Sequence, residues 1–420
     1  MKKAFALLLA LIMVLSLASL SFADSVTLNV VTSYGGDDGN RGNFEAAVKA
    51  YEESTGNKVN DGSATSNEEW KAKVLTDFET GSEPDVLFYF TNADAEPFIS
   101  AGKVVSIDEI RAEYPDYATN MKSSMMAVAA DGKQYSVPSS GYWENMFVNK
   151  AVLEDCGVAV PGPDYTWDQF LADCAAIKEA GYTPIACSLV EVPHYWFEFM
   201  VMNNGTVANH LDLPQSADDA VAAKWAAGLN DIKTLYEAGY FPANTLTASD
   251  AETVELFNSG EAAFLIDGSW KIGGIAEAVD DIENFTVVHI PGKGNRKTTD
   301  EIGGLSMGYY VTRKAWEDAE KKDAAVSFVS YMTSDDVVSR FAGVSATALK
   351  NGAEPDTSEF NSLQVDALSY TASFTGISPA VQDNLSAAAR EPIFNDMASI
   401  VNGDVAAEDA VAAVLEANAE

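Results

Sequence analysis

Between Phe257 and Trp270 the chain reads Phe-Asn-Ser-Gly-Glu-Ala-Ala-Phe-Leu-Ile-Asp-Gly-Ser-Trp, which places a carboxylate and an indole on either side of a Gly-Ser turn. A flat ring packs against the C–H face of a sugar, and a carboxylate accepts its hydroxyls in fixed geometry. Asp267 and Trp270 are therefore candidate ligand contacts. The segments Tyr142-Trp143-Glu144-Asn145 and His194-Tyr195-Trp196-Phe197-Glu198 mix rings with carboxylates and amides in the same way. They add Trp143, Glu144, Asn145 and Trp196 to the candidates. Spacing alone leaves ligand contact and core burial both open for Trp143, Trp196 and Trp270, and favours the core for Phe197. The Gly-rich loop from Gly35 to Gly42 contributes Asp38 and Arg41 as candidates, and Asp85 is carried as another.

Other chemistries fit less well. Gly304-Leu305-Ser306-Met307-Gly308 matches the nucleophile-elbow pattern, but a β-rich run, Tyr309 to Thr312, follows the Ser where a helix is needed, and no His lies beyond His289. The Gly35–Gly42 loop lacks a Walker lysine and the G-x-G-x-x-G spacing, and Asp37 and Asp38 would repel a phosphate. His194, His210 and His289 are too scattered for a local metal motif, and no calcium-loop pattern is present, so neither a metal nor a cofactor is expected. With 63 acidic residues, some carboxylates must lie close in space, which leaves glycoside hydrolysis as an unspecific alternative.

The elements that must position these groups alternate. Val26 to Thr32 reads as a strand, Phe44, Ala47, Val48 and Tyr51 as one face of a helix ending at Gly56, and Trp70, Val74 and Phe78 as a second helix ending at Gly81. Asp85 to Phe90 is apolar on both faces, as a strand covered on both sides by helices should be. Thr166 and Gln169 form a capping box opening a helix that stops at Gly181, before a strand from Ile185 to Leu189. Trp225, Leu229, Ile232 and Tyr236 mark a helix closing at Gly239; Ala262 to Ile266, Phe285 to Ile290 and Leu305 to Thr312 read as strands, and most of the remainder as helices. The carboxyl ends of such strands are where ligands bind in open α/β sheets, and Asp267 and Trp270 leave their strand at that end.

Met1 to Ala23 carries Lys2 and Lys3, an apolar run to Leu20 and small residues before a cleavage point near Ala23, the pattern of a secretory signal. No cysteine precedes Cys156, so a lipid anchor at the end of that run is not expected, and the product is periplasmic or extracellular. The formal net charge is −37, and −39 once Lys2 and Lys3 leave with the signal. Such a surface repels nucleic acid and anionic lipid. Cys156, Cys174 and Cys187 fit no zinc spacing and read as thiols, with Cys174 on the apolar face of a helix.

Four segments together resemble one family. They are Asp131-Gly132-Lys133-Gln134-Tyr135-Ser136-Val137-Pro138, Thr166-Trp167-Asp168-Gln169-Phe170, Gly260-Glu261-Ala262-Ala263 through Gly268-Ser269-Trp270, and Gly303-Gly304-Leu305 leading to Ala324-Ala325-Val326-Ser327-Phe328. In this order they resemble the carbohydrate-type (family 1) extracellular solute-binding proteins of bacterial ABC importers. The resemblance implies a two-lobed α/β fold of the type II periplasmic-binding-protein kind, joined by crossover strands and closing on a ligand by hinge motion. It implies lobes of residues 24–138 with 265–312, and 139–264 with 313–420. It also implies a carbohydrate ligand, permease subunits as partner, a monomer and no catalysis. By similarity Trp270, Gly303 and Gly304 fall at the cleft, while Trp143, Glu144 and Asn145 face the ligand from the second lobe. An exported glycosidase and a sugar-presenting partner of a sensor receptor are the alternatives.

Overall fold

The computed structural model describes residues 25–36, 38–353 and 357–418. The expected signal segment and Asp37 lie outside the described residues. Two sheets organise the chain. The first contains β1 (Thr27–Val31), β2 (Lys58–Asp61), β3 (Val86–Phe90), β4 (Ser136–Val137) and β10 (Met307–Val311). Its order is β2-β1-β3-β10-β4, with β1 parallel to β2 and β3, and β10 antiparallel to β3 and β4. The second contains β5 (Tyr142–Asn149), β6 (Thr183–Ala186), β7 (Ala262–Gly268), β8 (Phe285–Val288), β9 (Asp300–Gly304) and β11 (Gly376–Ser378). Its order is β11-β9-β5-β7-β6, and β8 also pairs with β5.

Helical spacing explains the packing of the first lobe. The helix Arg41–Thr55 buries Phe44, Ala47 and Tyr51, three and four residues apart, against the sheet. Each large ring so buried contributes about 2–3 kcal/mol of transfer free energy. The helix Glu68–Thr80 does the same with Trp70, Val74 and Phe78, and the Asn67 side chain caps it by accepting the Trp70 amide. β3 is buried along nearly its whole length, as its unbroken apolar run requires. In the second lobe the capping box of Thr166 and Gln169 opens the helix Trp167–Glu179. Phe170 then meets Trp196 and Phe264 in a core shared with Trp225 and Leu229.

The division between lobes differs from the expected one. β7, β8 and β9 pair within the second sheet, so residues 265–304 belong to the second lobe, not the first. Ala324, Phe328, Val338, Phe341 and Leu349 pack in the first lobe's core, so residues 313–349 belong there, not to the second. Only β10 of the expected 265–312 block joins the first sheet. The run expected as one strand from Leu305 to Thr312 is β10 alone, and Asp300–Gly304 forms an unexpected strand before it. Among the described residues the chain thus crosses between lobes three times: after β4, between β9 and β10, and between Leu349 and Leu363. Cys156, Cys174 and Cys187 are all free thiols, and none of the described helices is long and apolar enough to cross a membrane.

Candidate functional site

A cleft of about 580 Å³ lies between the lobes, within the ~300–1,000 Å³ usual for small-ligand sites. The first lobe supplies Tyr34, Asp38, Asn43, Lys71, Phe88 and Phe90; the second supplies Tyr142, Glu144, His194, Tyr195, Trp270 and Asp383. The lobes touch beside it. The Gly39 amide donates to the Trp270 carbonyl at 3.0 Å, and a Cβ on Gly39 would come within 2.6 Å of that oxygen. At another point Arg390 of the second lobe reaches Asp94 at 2.7 Å and Glu68 at 3.3 Å in the first. Lys71 completes this network, 2.7 Å from Glu68 and 3.4 Å from Asp94.

Strand alternation decides which residues of β5 reach the cleft. Successive side chains point to opposite faces, so Tyr142 and Glu144 line it while Trp143 and Asn145 turn away. Trp143 is buried against Tyr370, with ring centroids 5.0 Å apart, among Phe147, Leu363 and Ala367. The Asn145 amide, oriented to satisfy both ends, donates to the Asp267 carbonyl and accepts from the Phe147 amide. Both are corrected from ligand contacts to parts of the second lobe's interior.

Trp270 precedes the helix Lys271–Ala278 and lines the cleft. Its ring lies 6.1 Å from that of Tyr142 and 5.8 Å from that of Tyr195, tilted by 44° and 41°. The fold of this turn demands Gly268, because a Cβ there would meet the indole at 2.2 Å. Asp267 does not line the cleft. It is buried behind the turn, where its Oδ1 accepts the Gly268 amide at 2.8 Å and Lys271 lies 3.9 Å away.

The remaining candidates divide similarly. Asp38 lines the cleft, its Oδ1 accepting the Asn40 amide at 2.8 Å. Arg41 does not line it but braces the same loop, donating to the Tyr34 carbonyl at 2.9 Å and pairing with Asp61 at 2.8 Å. Asp85 is buried at the start of β3, away from the carboxyl end of the strand, where Lys321 reaches both its oxygens at 3.0 and 2.8 Å. Trp196 is fully buried between Phe170 and Phe241, and the cleft is met instead by its neighbours His194 and Tyr195. Gly303 and Gly304 pair with Trp143 and Tyr142 at the crossing between lobes rather than lining the cleft. Ser306 lies between β9 and β10 on that same crossing.

Several lining residues carry no local signature. Gln382 and Asp383 are delivered by a turn whose Val381 and Gln382 amides bond Glu198 at 2.8 and 3.0 Å, and Glu198 is fixed in turn by His210 at 2.6 Å. Burial pushes the Asp383 carboxyl up to about 7, Lys71 opposing and Glu198 adding to the rise. Burial, with Glu198, Asp383 and Asp267 around it, raises Glu144 well above the usual carboxylate range. Burial and nearby Lys71 lower the His194 imidazole to about 3, which keeps it neutral. No group of three or more His, Cys, Asp or Glu able to hold a metal is found among the described residues.

A family model described as bacterial extracellular solute-binding protein matches residues 46–352. The sn-glycerol-3-phosphate-binding periplasmic protein of Rhizobium meliloti is 25% identical over 221 residues, covering 51% of this chain and 49% of that protein. The multiple sugar-binding protein of Streptococcus mutans is 26% identical over 308 residues, covering 70% of this chain and 68% of that protein. The chain thus spans about half of the first relative's length and about two thirds of the second's. In fold, it resembles a solved chitin oligosaccharide binding protein with a TM-score of 0.80 at 21% identity, over 94% of this chain and 100% of that one.

Proposed function

Because the chain belongs to the bacterial extracellular solute-binding protein family, we propose that it captures a carbohydrate between its lobes and delivers it to the permease subunits of an ABC importer. The observation that carries this reading is the corner of three rings, Tyr142, Tyr195 and Trp270, on the same cleft as the carboxylate of Glu144. The rings offer faces for sugar C–H groups, and the carboxylate offers acceptors for hydroxyls. The reading includes export, with a signal cleaved near Ala23 and no lipid anchor, and action as a monomer. Membership of a solute-binding family makes the chain a binding protein, not an enzyme.

A phosphorylated ligand, such as the name of the Rhizobium relative implies for that protein, is disfavoured here. The cations lining the cleft are Lys71, Lys271 and Arg340 among the described residues, and each is already paired with a carboxylate, Lys71 with Glu68, Lys271 with Asp250 and Arg340 with Asp336. Seven carboxylates line the same cleft, so a phosphate would enter a negative field. A thermal-shift screen of the chain lacking residues 1–23, against saccharides, polyols, glycerol phosphate and amino acids, tests the reading. A ligand at a hundred times its Kd stabilises the folded state by about 2.7 kcal/mol. A rise confined to one or a few saccharides is expected; a rise with glycerol phosphate or an amino acid and none with a saccharide would contradict the proposal.

A further inference from the structure

The carboxylates of the cleft are not all alike. Glu68 and Asp250 are held by lysines. Among the described residues Glu144 and Asp383 take part in no ion pair, and Glu144 is 2% exposed with an Oε2 that accepts no hydrogen bond from them. A buried carboxylate with no partner is costly, so it must be neutralised by a proton or by a cation brought to it. Glu144 shares one face of β5 with Tyr142, two residues away; Tyr142 lies beside Trp270, and Trp270 beside Tyr195. Rings around a carboxylate are the arrangement that holds an ammonium group, the ring faces and the negative charge both attracting it. The three lining cations are committed to carboxylates of their own and do not compete for Glu144.

Resting on the carbohydrate reading above, we infer that the preferred ligand is an amino sugar whose protonated amine seats against Glu144 and the Tyr142–Tyr195–Trp270 corner, with Asp383 as the second carboxylate of the cleft. Burial and the surrounding carboxylates that raise Glu144 are consistent with a group waiting for a positive charge. Hydroxyl and N-acetyl counterparts of the same sugar leave Glu144 without its cation. They bind at least tenfold more weakly.

Titration calorimetry with matched pairs tests this: glucosamine and glucose, galactosamine and galactose, and the β-1,4 disaccharides of glucosamine and glucose, with N-acetylglucosamine as a neutral control and spermidine as a cation without a sugar ring. The amino member of at least one pair is expected to bind tenfold or more tightly than its partner, and Glu144→Gln to bring that ratio close to one. If Glu144→Gln fails to give a cooperative melting curve, Asp383→Asn, at a partly exposed position, is expected to lower the ratio at least threefold. Neutral members binding as tightly as amino ones, or a ratio unmoved in the variants, would overturn the inference and leave the carbohydrate reading standing. Binding of spermidine with no saccharide bound would support the cation site and overturn the carbohydrate reading. Binding of no probe would overturn both.

Discussion

At the scale of the residue, Asp383 has a measurable signature. Its carboxyl is raised from 3.8 to about 7 in the folded protein, chiefly by burial. A raised folded-state value means that the folded chain holds a proton which the unfolded chain releases. The stability it contributes is full below about pH 4 and is lost as pH rises toward 7. Melting temperature measured without ligand should therefore fall over that window, and Asp383→Asn should flatten the fall; an equal slope in the variant would contradict the placement of Asp383. Which residues could be read from sequence follows from where their environment comes from. Trp270 was legible because its turn, Gly268-Ser269, is written next to it. Trp196 was not, because Phe170 and Phe241, which bury it, come from distant segments. Trp143 and Asn145 adjoin Glu144 in sequence, but the two-residue period of a strand turns them to the opposite face.

At the scale of the element, two of the crossings between lobes converge on Gly141. Its amide donates to the Ala346 carbonyl at 2.6 Å, and a Cβ there would come within 2.6 Å of the Gly304 oxygen and 2.9 Å of the Ala346 oxygen. Two crossings, after β4 and after β9, meet at this point, beside Ala346 of the first lobe. Gly141→Ala must push backbone apart, so it should cost about 1–3 kcal/mol, the usual cost of overpacking. A melting temperature unchanged by the substitution would show that the crossings do not constrain one another. The strands with unbroken apolar runs, β3 and β7, were legible for the reason they are buried. β9 was not, since Asp-Glu-Ile-Gly-Gly carries one large apolar residue and owes its strand state to β5 and β11 on either side. The lobe boundaries were missed for the same reason, because pairing partners far apart in sequence decide which sheet a strand joins.

At the scale of the whole molecule, the lobes are held together away from the ring corner by Arg390, buried between Asp94 and Glu68. Removing one partner of a buried pair typically costs about 3–5 kcal/mol, but here opening the lobes would return Asp94 to water and recover part of it. Arg390→Met is thus expected to enlarge the radius of gyration measured by X-ray scattering without ligand, and to weaken ligand binding about tenfold, the equivalent of about 1.4 kcal/mol. An unchanged radius and affinity would remove Arg390 from the account of closure. The central claim, that the cleft takes a carbohydrate against the ring corner, is tested most directly by titrating the saccharide that gives the largest thermal shift into the chain and into Trp270→Ala side by side. The account predicts one site per chain and an affinity lower in the variant by on the order of 2 kcal/mol, roughly thirtyfold, with the melting temperature of the free protein little changed. Equal affinity in the two proteins would contradict it.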